Sequence, residues 1–160
     1  PGGGSPDTGP VQGYGFPATM PAMAVDGWGD ACVLVPWAEY MARGDLSILK
    51  KFYPVMKKYV KACKCWAGLL SFGKKKYIWS TPSVLHFGDW VAPDVPKMQQ
   101  WQARSKWTAT ASLCHTSAVT AQVAELLGEQ EAAAYSQDLS AQVADAYCAA
   151  FTDGDRKSVV

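Results

Sequence analysis

Apolar residues recur at three- and four-residue intervals in four stretches of this chain, and turn signals separate the stretches. Val33, Leu34, Trp37, Tyr40 and Met41 form the first stripe. It begins behind Asp30, a candidate N-cap, and stops at Gly44. Pro36 fits a helix only in its first turn or two, which places the start near Asp30. The second helix opens at Asp45, with Ile48, Leu49, Phe52, Met56, Tyr59, Val60 and Cys63 on one face. Pro54 predicts a bend or split in it near Phe52. The third helix covers about 105–127 and is rich in Thr, Ala and Ser, which predicts close packing against neighbours; Gly128 ends it. The fourth covers about 130–151, with Ala132, Tyr135, Leu139, Val143, Ala146, Tyr147 and Ala150 as its stripe.

Between these helices the pattern fails in two places. Residues 1–27 are rich in Gly and Pro and read as an extended loop or linker. Residues 66–104 are broken by Gly73, Pro82, Gly88, Pro93 and Pro96, and predict a long loop with a short strand pair. A loop of that length in an ordered domain usually has a task, such as lining a site. The layout is helix, tight turn, helix, long loop, helix, tight turn, helix: an all-α fold built from a repeated helical hairpin. Two hairpins do not close a large fold, so more helices are expected beside the third.

Length and charge narrow the function. The chain has 160 residues and a net charge of +1, enough for one core and too balanced for a dedicated nucleic-acid binder. Lys50, Lys51, Lys57, Lys58, Lys61 and Lys64 gather opposite the apolar stripe of the second helix. Such a face suits a membrane surface or a partner, but a solvated outer face is the ordinary outcome. No stretch is long and apolar enough to span a bilayer, and no membrane partner is expected. The five cysteines are odd in number and irregularly spaced, which favours reduced thiols and slightly favours the cytoplasm. Cys32, Cys114 and Cys148 read as small buried apolar residues. No His/Cys/Asp cluster has metal-ligand spacing, and no cofactor motif is present. The chain lacks a starting Met, and residues 154–160 look like a truncated tail, so a piece of a longer protein is expected.

Seven tryptophans are many for this length, and several stand beside Gly, Asp or Pro rather than within helical stripes. Two short motifs combine an indole with a carboxylate: "GWGD", with Trp28 and Asp30, and "FGDW", with Asp89 and Trp90. If the hairpins stack side by side, both corners face the same end and line one pocket. The indoles supply apolar walls and the carboxylates accept hydroxyls, a combination suited to a neutral, hydroxyl-rich ligand. The plainer alternative makes Asp30 a helix cap and Asp89 a turn cap. His86 and His115 stand alone, and no Ser–His–Asp elbow appears.

The run "GWGDACVLVPWAEYMARGDLSILKKFYPVMKKYV", followed by "FGDWVAPD", "PKM", "VAELLG" and "AAAYSQDLSAQVADAYCAAF", resembles the catalytic domain of bacterial α-L-rhamnosidases, glycoside hydrolase family 78. The order matches from Gly27 to about Phe151. The resemblance implies an (α/α)6 barrel of six hairpins, of which 28–153 would form a part. It also implies that Trp28, Asp30, Asp89 and Trp90 border a rhamnose subsite, with the two indoles as apolar walls. Trp66 and Trp79 are then candidate contacts on an inserted lip. The implied chemistry is inverting hydrolysis of a rhamnosyl glycoside by an acid and a base about 6.5–9.5 Å apart. In the family those two groups lie in motifs upstream and downstream of the matched run, which this sequence lacks. The segment alone is therefore expected to be inactive, with the rest of a parent chain as its partner. Two rivals share the helical scaffold: another (α/α)-barrel carbohydrate enzyme, and a non-catalytic hairpin scaffold that holds a partner.

Overall fold

The structure, a computed structural model, describes residues 26–68, 72–80, 88, 93–94 and 104–152. Its elements are α1 (Ala31–Arg43), α2 (Leu46–Gly68), a 3-10 turn (Gly73–Tyr77), α3 (Ser105–Leu126) and α4 (Gln130–Phe151). The all-helical hairpin layout is as expected. Gly44 and Gly128 close the two hairpins in the left-handed region, at φ 71° and 79°. Gly44 N–H donates to Tyr40 O at 2.7 Å, and Glu129 N–H donates to Ala124 O at 2.9 Å, so the last carbonyls of α1 and α3 are satisfied. Asp45 caps α2: its carboxylate accepts from the Ser47 backbone N–H and hydroxyl, both at 2.8 Å. Those bonds, the hydroxyl's first, hold the Asp45 carboxyl below its ordinary range.

The helix α2 runs through Pro54 as one helix, so of the expected bend or split the split does not occur. Leu49 and Tyr53 before the proline and Met56, Tyr59 and Val60 after it are all buried in one core. Fully burying each such side chain is worth about 1.5–3 kcal/mol, which outweighs one missing backbone bond. The lysines at 50, 51, 57, 58 and 61 are exposed, as a solvated outer face requires. Lys64 is half-buried and donates to Tyr135 Oη at 3.1 Å. Tyr135, expected in the core stripe of α4, is 48% exposed. Met41 likewise leaves the stripe of α1 for solvent.

The most enclosed helix is α3. It contacts α4 extensively and also meets α1 and α2. Its buried residues include Thr110, Thr116, Ser117 and Thr120. Their hydroxyls donate to carbonyls of their own helix: Thr116 to Ser112 O at 2.8 Å, Ser117 to Leu113 O at 2.6 Å, Thr120 to Thr116 O at 2.8 Å. Small side chains with satisfied hydroxyls let neighbours approach on several sides, as the composition predicts.

Among the described residues of 66–104 there is no strand; the 3-10 turn packs on α2 and α4. It delivers Trp79 into the core at 1% exposure, with its backbone N–H donating to Thr110 Oγ1 at 3.0 Å. Trp79 is therefore a core residue, not a lip contact, and Trp66 is packed partly buried against the same core.

All five cysteines are free. Cys148, expected to be buried, is exposed, as is Cys65, because both lie on outward faces of their helices. Burial pushes the Cys63 thiol well above its ordinary range; it raises Cys32 to about 12, with the Asp30 carboxylate adding to the shift. Because the thiolate is the reactive form, an alkylating reagent at neutral pH should label Cys65 and Cys148 first, with Cys63 slower by about 100-fold or more. Peptide mapping over a time course checks this, and equal rates at Cys63 would show that the core opens.

Candidate functional site

Five residues, Asp26 to Asp30, turn the chain into α1. Trp28 N–H donates to Asp26 O at 2.9 Å, and Ala31 and Cys32 N–H donate to Trp28 O and Gly29 O. The two carboxylates at the ends of this turn are each only 6% exposed, while Trp28 between them is 60% exposed.

Asp30 is the N-cap residue of α1 as expected, and its carbonyl accepts from Val33 and Leu34 N–H, but its side chain makes no bond to the helix start. It turns inward instead. Oδ2 accepts from Gly27 N–H at 2.9 Å, and Oδ1 accepts from Tyr59 Oη of α2 at 2.7 Å. The Ser112 hydroxyl of α3 lies 2.7 Å from both oxygens. Burial, with the Cys63 and Asp30 groups adding, pushes the Tyr59 phenol far above its ordinary range, so it stays protonated and donates. Asp26 reaches α3 as well, accepting from Thr108 Oγ1 at 3.0 Å. Thr108 and Ser112 stand one helical turn apart, so one face of α3 receives both carboxylates.

This arrangement sets the first turns of α1 and α3 side by side. A hollow of about 500 Å³ lies there, lined by Asp26, Trp28 and Asp30 from the turn, by Thr108, Ser112 and His115 from α3, and by Gly88. Gly88 belongs to "FGDW"; Asp89 and Trp90, which follow it, lie outside the described residues, as does His86. His115, expected to stand alone, is exposed on the wall of the hollow. The hollow thus offers an indole face beside hydroxyls and an imidazole. Among the described residues, no group of three His, Cys, Asp or Glu side chains is placed to hold a metal ion, and no helix is long and apolar enough to cross a membrane.

Sequence reasoning missed Asp26, Thr108 and Ser112. An Asp before Gly looks like any turn residue, and two hydroxyls in a Thr/Ala/Ser-rich helix look like packing. Their one signal is the four-residue interval, repeated between Asp26 and Asp30 and between Thr108 and Ser112.

Residues 2–160 match the family described as the bacterial alpha-L-rhamnosidase 6 hairpin glycosidase domain. The chain belongs to that family. It is 33% identical over 127 residues to an alpha-L-rhamnosidase of Formosa agariphila, covering 78% of this chain and 12% of that protein. An alpha-L-rhamnosidase of Alteromonas sp. strain LOR is 33% identical over 134 residues, covering 81% of this chain and 13% of that protein. One from Streptomyces avermitilis is 32% identical over 136 residues, covering 83% and 11%. The chain therefore spans only 11% to 13% of the length of these rhamnosidases. No solved structure matches it. The two hairpins are a partial six-hairpin glycosidase domain.

Proposed function

We propose that this chain is part of an enzyme that removes terminal α-L-rhamnose from glycosides by inverting hydrolysis, and that its hollow is one side of the rhamnose pocket. Trp28, Asp30, Asp89 and Trp90 border that pocket in this reading. The indoles face the apolar side of the deoxysugar. The acid that protonates the leaving oxygen and the base that activates water lie on other parts of the parent protein, so the segment alone does not turn over substrate. The supporting observation is that Gly88 of "FGDW" lines the same hollow as Trp28 and Asp30 of "GWGD". Membership of the rhamnosidase domain family supports the choice of sugar.

The test uses the full-length protein that carries this chain and an aryl α-L-rhamnoside. Trp28→Ala and Trp90→Ala should each lower kcat/KM by about 10- to 100-fold, because a sugar without its wall loses its aligned pose. Trp28 is exposed, so the melting temperature of its variant should hardly change. Normal kinetics in both variants would overturn the reading.

A further inference from the structure

We propose that Asp26 and Asp30 are positioning residues: they clamp both ends of the Trp28 turn to the helices behind it and act on the sugar through the indole, not by direct contact. This rests on the reading of the hollow as a sugar pocket.

Trp28 is 60% exposed, so most of its surface faces the hollow or solvent and its stance depends on the backbone that carries it. A wall that must be ordered when the ligand arrives costs affinity, whereas a wall already fixed does not. Here the backbone on its N-terminal side is fixed twice, by Trp28 N–H to Asp26 O at 2.9 Å and Gly27 N–H to Asp30 Oδ2 at 2.9 Å. The carboxylates are in turn anchored on rigid elements. Thr108 of α3 holds Asp26, while Ser112 of α3 and Tyr59 of α2 hold Asp30. Both carboxylates are buried at 6% exposure.

The acceptor count of Asp30 also argues against direct contact. A carboxylate offers about four lone-pair sites. Three donor hydrogens already reach it: Tyr59 at Oδ1, Gly27 N–H at Oδ2, and the single Ser112 proton between the two oxygens. At 6% exposure, little of the carboxylate is left for a sugar hydroxyl to reach. Thr108, Ser112 and Tyr59 therefore determine where Trp28 stands, although Asp30 lies in the pocket wall.

A double-mutant cycle in the full-length protein separates action through Trp28 from other roles. Thr108→Ala and Ser112→Ala, combined, leave both carboxylates and the indole in place. With Trp28 present, the pair should lower kcat/KM on an aryl α-L-rhamnoside by about 3- to 10-fold. In the Trp28→Ala background the same pair should add no further loss, and Thr108→Ser with Ser112→Thr should restore activity. An equal loss in both backgrounds would overturn the proposal, since the hydroxyls would then act on ligand or fold directly. If Trp28→Ala itself leaves kinetics unchanged, the pocket reading fails instead, and a second measurement still decides the clamp. With fluorinated tryptophan incorporated, the Trp28 resonance is assigned by its loss in Trp28→Phe. In the Thr108→Ala/Ser112→Ala protein it should narrow and move toward its position in the unfolded chain; an unchanged resonance overturns the clamp.

Discussion

Trp79→Ala should lower the unfolding free energy by about 3–5 kcal/mol, the range for removing a large buried aromatic. Trp79 is 1% exposed and sits in the core shared by both hairpins. The 3-10 turn before it packs on α2 and α4, and its backbone is bonded to Thr110 of α3. Removing the indole opens space between helices whose relative positions it helps to set, and a helical scaffold collapses only partly into such a gap. Denaturant melts of the full-length protein should show the loss, with Trp79→Phe losing less. Trp66→Ala should also lose less, because Trp66 is only partly buried. A melting midpoint unchanged by Trp79→Ala would return the residue to the lip role that its position in a long loop suggests.

Asp30→Ala should be the second most damaging change, costing about 1–3 kcal/mol for the buried donor it leaves unsatisfied. The cost comes from the donors left behind. The Tyr59 hydroxyl, on a residue with 0% exposure, loses its 2.7 Å bond to Oδ1, and Ser112 and Gly27 N–H lose theirs. An orphaned buried donor costs more than a pair replaced together by apolar groups. Adding Tyr59→Phe to Asp30→Ala should therefore recover part of the lost stability, although Tyr59→Phe alone destabilises. Thermal melts of the two single variants and the double decide it; simple additivity would show that the phenol–carboxylate bond does not matter to the fold.

The helices were legible because each carries its own instructions. The stripe of α2, the glycines at 44 and 128 and the limits of α4 all rest on spacings within one segment. Pro54 does not split α2, because core contacts on both sides of it oppose the break that local propensity favours. The hollow was half legible. "GWGD" and "FGDW" stand out as indole–carboxylate corners, and Trp28, Asp30 and Gly88 do meet at one hollow. The role of Asp30 was not legible, since its side-chain partners lie 29 and 82 residues away and no local pattern names them. Asp26 escaped for the same reason. Trp79 was misplaced because a tryptophan in a loop looks available to a ligand until the loop folds back on the helices.

The inward-bonded hydroxyls of α3 carry a further consequence. A hydropathy scale scores threonine and serine as water-seeking, and the chain as a whole averages -0.07. Along α3 that polarity is private, closed between each side chain and the backbone a turn behind it. The neighbouring helices therefore meet side chains whose polar atoms are already bonded, and a segment dotted with hydroxyls stands among the deepest in the molecule.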